Sequence, residues 1–582
     1  TPDGAGHDGP IESAPPPGSI VFVSSATGLD ANDGTDPTKP KKSIAAALVK
    51  AQAIGAAAQV HVCAGIYQET ALVLAQSIRL LGSYDCSSWT RTGGYGYPTF
   101  DAVNLTVVSN AAPATQPATL VVGAGVTSSG VVDGFLISGA SSSVGATAAL
   151  QIAGGASPVI TNDVVTGGTG SGGTSNAGSI GIDVGGGSPR ISLDSITGGS
   201  GTGSPGSVGV YVRPGATPTI TGALVSGGTG TSVSPTNDQA SVGILVTTSL
   251  TQSAQLKDLF VTGSDKNGVA GSSTGVFVIG SGLTVDVVGC DIQGGSGSGS
   301  ATASAGVIVA DPGGTVRVLS SHILGGARSG ASSQAYGVYV LQASEVDVEN
   351  DEIHPGEIGS ASGSSTAAVA AASSGAMILV DDTLYSGPGP GYAISLASGV
   401  AGVTVTDDLL LGGGISSGQV AISMGACSGQ LKTLDHTAFV NFDLLYQCTG
   451  QPAASDVPTM ATELPGVSTA GDFNVSSAGT CTVATSCVPD PSCPAAPSTC
   501  LPSVLGTSWT SDDGVTGLFA GPPQVGDASA PFAGWVLPAG TPCPIARGGT
   551  PYGGITLDLF GQLRDTSKPT IGAFEFVSSA CK

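Results

Sequence analysis

A six-residue pattern recurs through the middle of the sequence and constrains the fold more than any other feature. Each copy has a small residue at its third position and apolar residues around it, as in Ser207-Val-Gly-Val-Tyr-Val212. The small residue falls at positions 149, 181, 209, 243, 275, 306, 337, 368, 393 and 421, so successive copies lie 25 to 34 residues apart. Repeats of this length are typical of solenoids, propellers and repeat arrays, in which one unit cannot bury its apolar face alone.

Each copy contains the same short apolar segments in the same order. An alternating segment such as 208–212 is followed by a turn and a second segment such as 217–221, and a third lies before a Gly-Gly pair, as in 194–199. A propeller blade would need four antiparallel strands in about 40–45 residues, and a leucine-rich repeat would need its Leu and Asn pattern every 20–29 or so. The sequence therefore predicts an all-β, right-handed parallel β-helix with three short strands per coil, whose aliphatic residues stack about 4.8 Å apart.

The composition excludes several classes of protein. Hydrophobic residues make up 40% of the chain and charged residues 10%, whereas a disordered chain has low hydrophobicity and high charge. The formal net charge of −24 and the absence of a basic patch argue against nucleic-acid binding. No run of about 18 apolar residues is present, so no transmembrane segment is expected.

The sequence divides into four segments. Residues 1–18 are rich in Pro and Gly and predict a flexible N-terminal arm, and residues 19–100 predict a capping module with the first coils. Residues 101–450 carry the β-helix repeats, and residues 451–582 form a Cys- and Pro-rich segment with closing coils. Within the capping module, Ser43 is a suitable N-cap for a short helix that would cover the open first coil. The chain begins at Thr1 without a signal peptide, which we interpret as a processed, secreted form.

The eleven cysteines support the same interpretation. Ten of them are candidates for structural disulfides, with Cys290 left over: Cys63, Cys86, Cys427, Cys448, Cys481, Cys487, Cys493, Cys500, Cys543 and Cys581. The sequence does not give their connectivity. Zinc binding is the alternative for the four cysteines between 481 and 500, but no Cys-x-x-Cys pair occurs there, which favours disulfides. Disulfides indicate an oxidising, extracellular or cell-surface location.

An acidic ladder recurs just before the third strand of several coils. Its members are Asp163, Asp194, Asp351, Asp382 and Asp408, and Cys290 and Ser321 occupy the equivalent place in two other coils. One interpretation is a row of calcium ligands or a catalytic cleft. The other is a ladder of turns, because Asp tolerates left-handed backbone and bonds its own main chain. Replacement by Ser and Cys favours the turn interpretation.

Calcium is the one cofactor that the sequence offers as a candidate. Asp30, Asn32, Asp33 and Asp36 supply oxygen atoms at short spacing, but the pattern lacks the closing Glu of an EF-hand loop. A turn rich in Asx residues is the favoured alternative.

Both ends of the chain resemble a known family. Asn32-Asp33-Gly34-Thr35, the helix after Ser43 and Gly65-Ile-Tyr-Gln-Glu69 are similar to the N-terminal module of secreted bacterial β-helix proteins of the pectate-lyase-like superfamily. The segments 557–564 and 571–576 resemble the closing coils of such proteins, and the resemblance implies that Asp558, Arg564 and Glu575 form a closing network of ion pairs and turns.

The superfamily includes polysaccharide lyases, and the resemblance implies a Lys or Arg base beside Asp-bound calcium on the flank of the rod. This sequence departs from that pattern, because its few basic residues between 145 and 450 lie at unlike positions of the repeat. Two adjacent pairs, Asp381-Asp382 and Asp407-Asp408, offer carboxylates for glycoside hydrolysis, but neighbours on a strand point to opposite faces. His322, His354 and His436 form no repeating cluster in the sequence.

The sequence therefore favours an extracellular structural or adhesive rod over an enzyme. Such a rod could assemble into a fibre or filament through its ends or through the N-terminal arm, making homopolymer contacts. A polysaccharide lyase or other glycan-processing enzyme is the first alternative. The second is a glycan-binding adhesin that contacts polysaccharide through the loop edge, the side of the rod where the variable Gly- and Ser-rich loops of the coils are expected to lie.

Overall fold

The computed structural model describes most of the chain up to residue 455 and a few residues beyond it. The described residues are 16, 18–70, 72–91, 104–111, 118–143, 145–173, 176–233, 239–247, 253–264, 271–282, 284–297, 303–328, 334–356, 365–387, 391–412, 418–440, 442–455, 459–460, 464, 473–475 and 481–483. Nearly all of the predicted arm and most of residues 451–582, including Asp558, Arg564 and Glu575, lie outside them.

The chain forms a parallel β-solenoid, which confirms the predicted fold class. Sheet 1 has 24 strands and contains two ladders in each coil. Its strands are Ile20–Val23, Gln59–Cys63, Leu72–Leu74, Arg79–Tyr84, Ala118–Val122, Val131–Asp133, Thr147–Ile152, Val159–Thr161, Ser179–Val184, Arg190–Ser192, Ser207–Val212, Thr219–Thr221, Gln239–Thr247, Ser253–Lys257, Ser272–Ile279, Thr284–Val288, Ser304–Leu319, Gln334–Glu349, Ser365–Val380, Gly391–Val400, Val403–Thr406, Val420–Met424, Leu431–Asp435 and Leu444–Cys448.

Sheet 2 has 15 strands and supplies the third side of the coil. Its strands are Gly65–Glu69, Thr106–Asn110, Leu136–Ser138, Val164–Thr166, Ser195–Thr197, Leu224–Ser226, Phe260–Thr262, Asp291–Gln293, His322–Leu324, Glu352–His354, Thr383–Tyr385, Leu409–Leu411, Ala438–Val440, Phe473–Val475 and Cys481–Val483. The pairings within it are parallel except the last, between Phe473–Val475 and Cys481–Val483.

The coils differ from the prediction in two respects. First, a fourth short strand follows the Gly-Gly turn in some coils, forming sheet 3 (Thr169–Ser171, Ser200–Gly203 and Thr229–Ser232) and sheet 4 (Ser296–Gly297 and Ala327–Arg328). Second, the first two strands of a coil merge in Ser304–Leu319, Gln334–Glu349 and Ser365–Val380, because hydrogen bonding continues around the bend between them.

The core is a stack of aliphatic residues in register. Ile182 pairs with Val210, which pairs with Ile244, and all three are fully buried. The small residue at the third position of each repeat lies beside this stack, where the coil leaves room for no more than a glycine or an alanine. A Cβ on Gly243, for example, would lie 2.6 Å from the carbonyl oxygen of Gly275. Each repeat therefore combines aliphatic residues that fill the core with one position that accepts only a small residue.

The predicted capping helix is present as Ile44–Ile54 and follows the N-cap Ser43, whose side chain accepts a hydrogen bond from the N–H of Ala46. The helix buries Ile44 and Leu48 against the first coils. The buried carboxylate of Glu69 accepts a hydrogen bond from the N–H of Ile44 at 2.7 Å, so the helix N-terminus is tied to sheet 2. In the described part of the chain, no helix has the length and apolar character that crossing a membrane requires.

Candidate functional site

The five aspartates of the predicted ladder lie fully buried at the corner between sheet 1 and sheet 2. The residue before each one has a left-handed backbone, and these preceding residues are Asn162, Leu193, Asn350, Asp381 and Asp407. The left-handed conformation therefore belongs to the neighbour of each ladder aspartate, while the aspartate itself points into the protein.

The ladder carboxylates join consecutive coils. Asp194 accepts a hydrogen bond from the N–H of Asp163 at 2.7 Å, and Asp163 accepts one from the N–H of Phe135 at 2.7 Å. A second series runs through Cys290 N–H to Ser321 (3.2 Å), Ser321 N–H to Asp351 (2.5 Å), Asp351 N–H to Asp382 (2.8 Å) and Asp382 N–H to Asp408 (2.8 Å). Burial raises the pKa of all five carboxyls well above the usual value for Asp. In these contacts the carboxylates act as acceptors for the main chain between coils.

The calcium candidates are engaged by the chain's own donors. Asp30 accepts hydrogen bonds from the N–H groups of Lys42 and Ser43 at 3.0 and 2.8 Å. Lys50 contacts Asp33 at 2.5 Å, and its hydrogen bond lowers the pKa of that carboxyl. Asp36 accepts hydrogen bonds from the main chain and hydroxyl of Thr38, and the pKa of Asp36 is lowered by them.

A lysine ammonium occupies the centre of the same loop. The Nζ of Lys41, a residue 8% exposed, donates to the carbonyl oxygens of Asp30 at 3.0 Å and Asn32 at 2.7 Å. Asn32 in turn donates its side-chain amide to the carbonyl of Pro40 at 2.8 Å. The carbonyl oxygens that a calcium ion would need thus already face a cation.

Two disulfides are present among the described residues, Cys63–Cys86 and Cys427–Cys448. Cys290 is a buried free thiol, and burial raises its pKa to about 12. For Cys481 only the strand position is described, and Cys487, Cys493, Cys500, Cys543 and Cys581 lie outside the described residues. The pairing of those six cysteines remains a prediction.

A groove with a volume of about 380 Å³ lies on the edge of the rod, where sheet 2 turns into sheet 3. Thr166 and Thr197 form one wall, and Thr169, Ser200 and Thr229 form the other. The described residues that line the groove are Ser, Thr and Gly, and none of them is charged. Because its walls repeat in register with the coils, the hydroxyl groups recur about every 4.8 Å along the rod.

The floor of the groove is bare backbone for a steric reason. A Cβ on Gly168 would lie 1.7 Å from the carbonyl oxygen of Ala140, and one on Gly199 would lie 2.2 Å from that of Gly167. Gly199 also has a φ of 79°, in the left-handed region that favours glycine. The Gly-Gly pairs of the repeat are therefore required by the close stacking of the turns.

A second candidate site lies on sheet 2, where three buried side chains meet: His322, Glu352 and His354. His322 is paired in register with Glu352 on the next coil, and His354 lies two residues further along the same strand. One potential ligand atom from each residue lies within 4.8 Å of the other two. A distance of 3.1 Å separates Nε2 of His354 from Oε1 of Glu352.

Neighbouring side chains hold the two imidazoles in place. Nδ1 of His322 lies 3.2 Å from Oδ1 of Asp291, one coil earlier. The ring of His354 stacks on that of Tyr385, one coil later, with centroids 3.9 Å apart and planes inclined by 15°. The two histidine rings meet edge to face at 5.9 Å. Each imidazole thus has a fixed orientation relative to Glu352.

Sequence reasoning missed this cluster because it treated the three histidines as unrelated. His322 and His354 are 32 residues apart, which is one coil of 30 residues plus two positions along the strand, and this spacing was the available signal. Glu352 had no motif of its own. The third histidine, His436, lies elsewhere, at a left-handed corner position beside Asp435, with 3.0 Å between Nδ1 and the carboxylate.

Comparisons with known proteins add little. No protein-family model matches the chain, and no curated protein matches it. One solved structure that resembles it is described as "The complex structure of XylC with xylose", with a TM-score of 0.29 and 8% identity over 75% of this chain and 85% of that chain. A likeness of that size supports no conclusion about function.

Proposed function

We propose that this protein is an extracellular adhesive rod that holds a neutral glycan chain along the groove between sheets 2 and 3. The observation that carries the proposal is the lining of that groove, which consists of hydroxyl-bearing side chains together with glycine backbone. Hydroxyl and peptide groups both donate and accept hydrogen bonds, as sugar hydroxyls do. A regularly repeating wall suits a polymer better than a single small molecule.

The electrostatics favour a neutral polymer over an anionic one. Within the described part of the chain the groove is lined by uncharged residues, so binding to them would desolvate no charge. The whole chain carries a formal net charge of −24, which repels polyuronates and other polyanions at a distance.

The remaining architecture suits a structural role outside the cell. The stacked core packs each coil on the next, and the carboxylate ladder adds side-chain hydrogen bonds between several of the coils. Disulfides such as Cys63–Cys86 form and persist in oxidising compartments. Assembly into filaments through the ends or the N-terminal arm stays a hypothesis that involves residues outside those described.

The test is a binding assay with purified full-length protein and soluble neutral polysaccharides (mannan, galactan and mixed-linkage β-glucan), with polygalacturonate as the anionic control. The protein should bind at least one of the neutral polysaccharides. The triple variant Thr166→Ala, Thr197→Ala, Thr229→Ala should bind at least about tenfold more weakly, since three neutral hydrogen bonds at about 0.5–1.5 kcal/mol each exceed the 1.4 kcal/mol or so of a tenfold change.

The matched control is Thr161→Ala with Thr221→Ala, which removes hydroxyls from sheet 1 away from the groove. This variant should bind as well as the unmodified protein. Any one of three results would overturn the adhesive proposal. They are an equal loss of affinity in both variants, no binding to any neutral polymer, and release of shortened chains from a bound polymer.

A further inference from the structure

The cluster of His322, Glu352 and His354 leads to an inference independent of the groove and of the adhesive proposal. We propose that these three side chains bind one divalent transition metal ion, with zinc as the ion that fits them best, and that the ion joins two neighbouring coils of sheet 2.

The first argument is the placement of the three ligands. His322 belongs to the strand His322–Leu324, whereas Glu352 and His354 belong to Glu352–His354, directly paired with it. Residues two apart on a strand share a face, so Glu352 and His354 present their side chains on the same side of sheet 2. In-register pairing then brings His322 beside Glu352 and closes a triangle of ligand atoms no more than 4.8 Å apart.

The second argument is the buried carboxylate. Glu352 is 0% exposed, and its Oε2 has no hydrogen-bond partner among the described residues. Its Oε1 faces Nε2 of His354 at 3.1 Å, but a buried carboxylate oxygen that accepts no hydrogen bond is costly. A metal ion at the centre of the cluster supplies that partner, and the two imidazoles complete a set of three protein ligands.

The ligand types select the class of metal. Two imidazole nitrogens and one carboxylate form a ligand set of the kind that zinc uses, whereas calcium takes six to eight or so oxygen ligands. With zinc–ligand distances of about 2.1 Å and tetrahedral angles, two ligand atoms of one ion lie about 3.4 Å apart, so closing the triangle from 4.8 Å requires each side chain to move by about 1 Å.

The surroundings resemble the outer shell of a metal site. A metal-ligating histidine commonly bonds a carboxylate through its other ring nitrogen, and Nδ1 of His322 faces Asp291 at 3.2 Å. This contact leaves Nε2 of His322 as the nitrogen directed to the ion. Asp291 is thus a positioning residue, and the ring of Tyr385 fixes the plane of His354.

The experiment measures zinc binding to full-length protein that has been stripped with a chelator and dialysed. Titration with zinc chloride should show one tight site per chain, calcium chloride should not compete, and cobalt chloride should give the visible absorption of a low-coordinate site. Thermal unfolding should move to higher temperature with zinc, because the ion binds only the folded arrangement.

Three variants test the assignment separately: His322→Ala, Glu352→Gln and His354→Ala. Each should abolish the tight site, whereas His436→Ala, which removes a histidine outside the cluster, should keep it. Asp291→Asn should weaken binding by about 10–100-fold and change the cobalt spectrum while keeping the stoichiometry.

Circular dichroism of the metal-free variants shows whether each one folds, and Glu352→Gln changes the shape least. Absence of a tight site in the unmodified protein would overturn the proposal. So would unchanged zinc stoichiometry in the folded variants, since the ion would then be held elsewhere, for example by the cysteines between 481 and 500.

Discussion

The side chain of Asp194 accepts a hydrogen bond from the main-chain N–H of Asp163 at 2.7 Å, one coil earlier, and both residues are fully buried. The carboxyl group of Asp194 thereby accepts a main-chain hydrogen bond between two coils, as a main-chain carbonyl does between paired strands. The relationship explains why an acidic residue recurs inside an otherwise aliphatic coil, and it yields two predictions.

The first prediction concerns the acceptor. Asp194→Ala should lower the free energy of unfolding by about 1–3 kcal/mol, because it leaves the buried N–H of Asp163 without its acceptor. Asp194→Asn keeps an acceptor oxygen and should be clearly more stable than the alanine variant. Urea unfolding followed by circular dichroism measures both. Equal stability of the two variants would contradict this role for the carboxylate.

The second prediction concerns pH. Burial raises the pKa of Asp163 and Asp194 in the folded protein, so the folded chain retains protons that the unfolded chain releases above about pH 4. Their contribution to stability is therefore present below the unfolded pKa and is lost as the pH rises through the folded pKa.

His61 acts in the opposite direction, because burial lowers its pKa to about 4. The measurement is therefore a difference between proteins. Relative to the unmodified chain, the double variant Asp163→Asn, Asp194→Asn should gain melting temperature as the pH rises from about 4 upward. A constant difference across that range would show that the two carboxyls do not titrate as expected.

The third prediction concerns the small residue of the repeat. Gly243→Ala should destabilise the protein, because the added Cβ would lie 2.6 Å from both the carbonyl oxygen of Gly275 and Cγ1 of Val261. We expect a loss of about 1–3 kcal/mol from overpacking. Gly145→Ala is the control, since nothing lies within 4 Å of its added Cβ, and the two melting temperatures should differ clearly.

The fourth prediction concerns the free thiol. Because burial raises the pKa of Cys290 to about 12, almost none of it is thiolate at neutral pH. Iodoacetamide should leave Cys290 unmodified in the native protein and modify it after unfolding, as read by mass spectrometry of the peptide. Rapid native alkylation would show that this coil opens.

The fifth prediction concerns the loop of Asp30 and Asn32. Lys41→Met should lower the melting temperature, because it removes the buried ammonium that faces the two carbonyl oxygens. Neither calcium nor a calcium chelator should change the melting temperature of the unmodified protein. If calcium raises the melting temperature of Lys41→Met but leaves that of the unmodified protein unchanged, the lysine occupies a cation position.

The repeat made the solenoid predictable, because an aliphatic position that returns once per coil has to stack on its own copies to leave water. Ser43 likewise predicted the start of the capping helix, since an N-cap acts over three residues. The merged strands and the fourth strand were not predictable, because both depend on how the corner of one coil packs on the next.

The sequence by itself determined the approximate coil period, the narrow positions that accept only a small residue and the neutral, hydroxyl-rich character of the loop edge, all of which are local or recur once per coil. Only the tertiary structure decided that Asp194 reaches the main chain of Asp163 and that His322 stands beside Glu352. Because coil lengths vary, the side chains that meet on neighbouring coils are set by the hydrogen-bond register of the folded sheets. Local sequence does not specify that register.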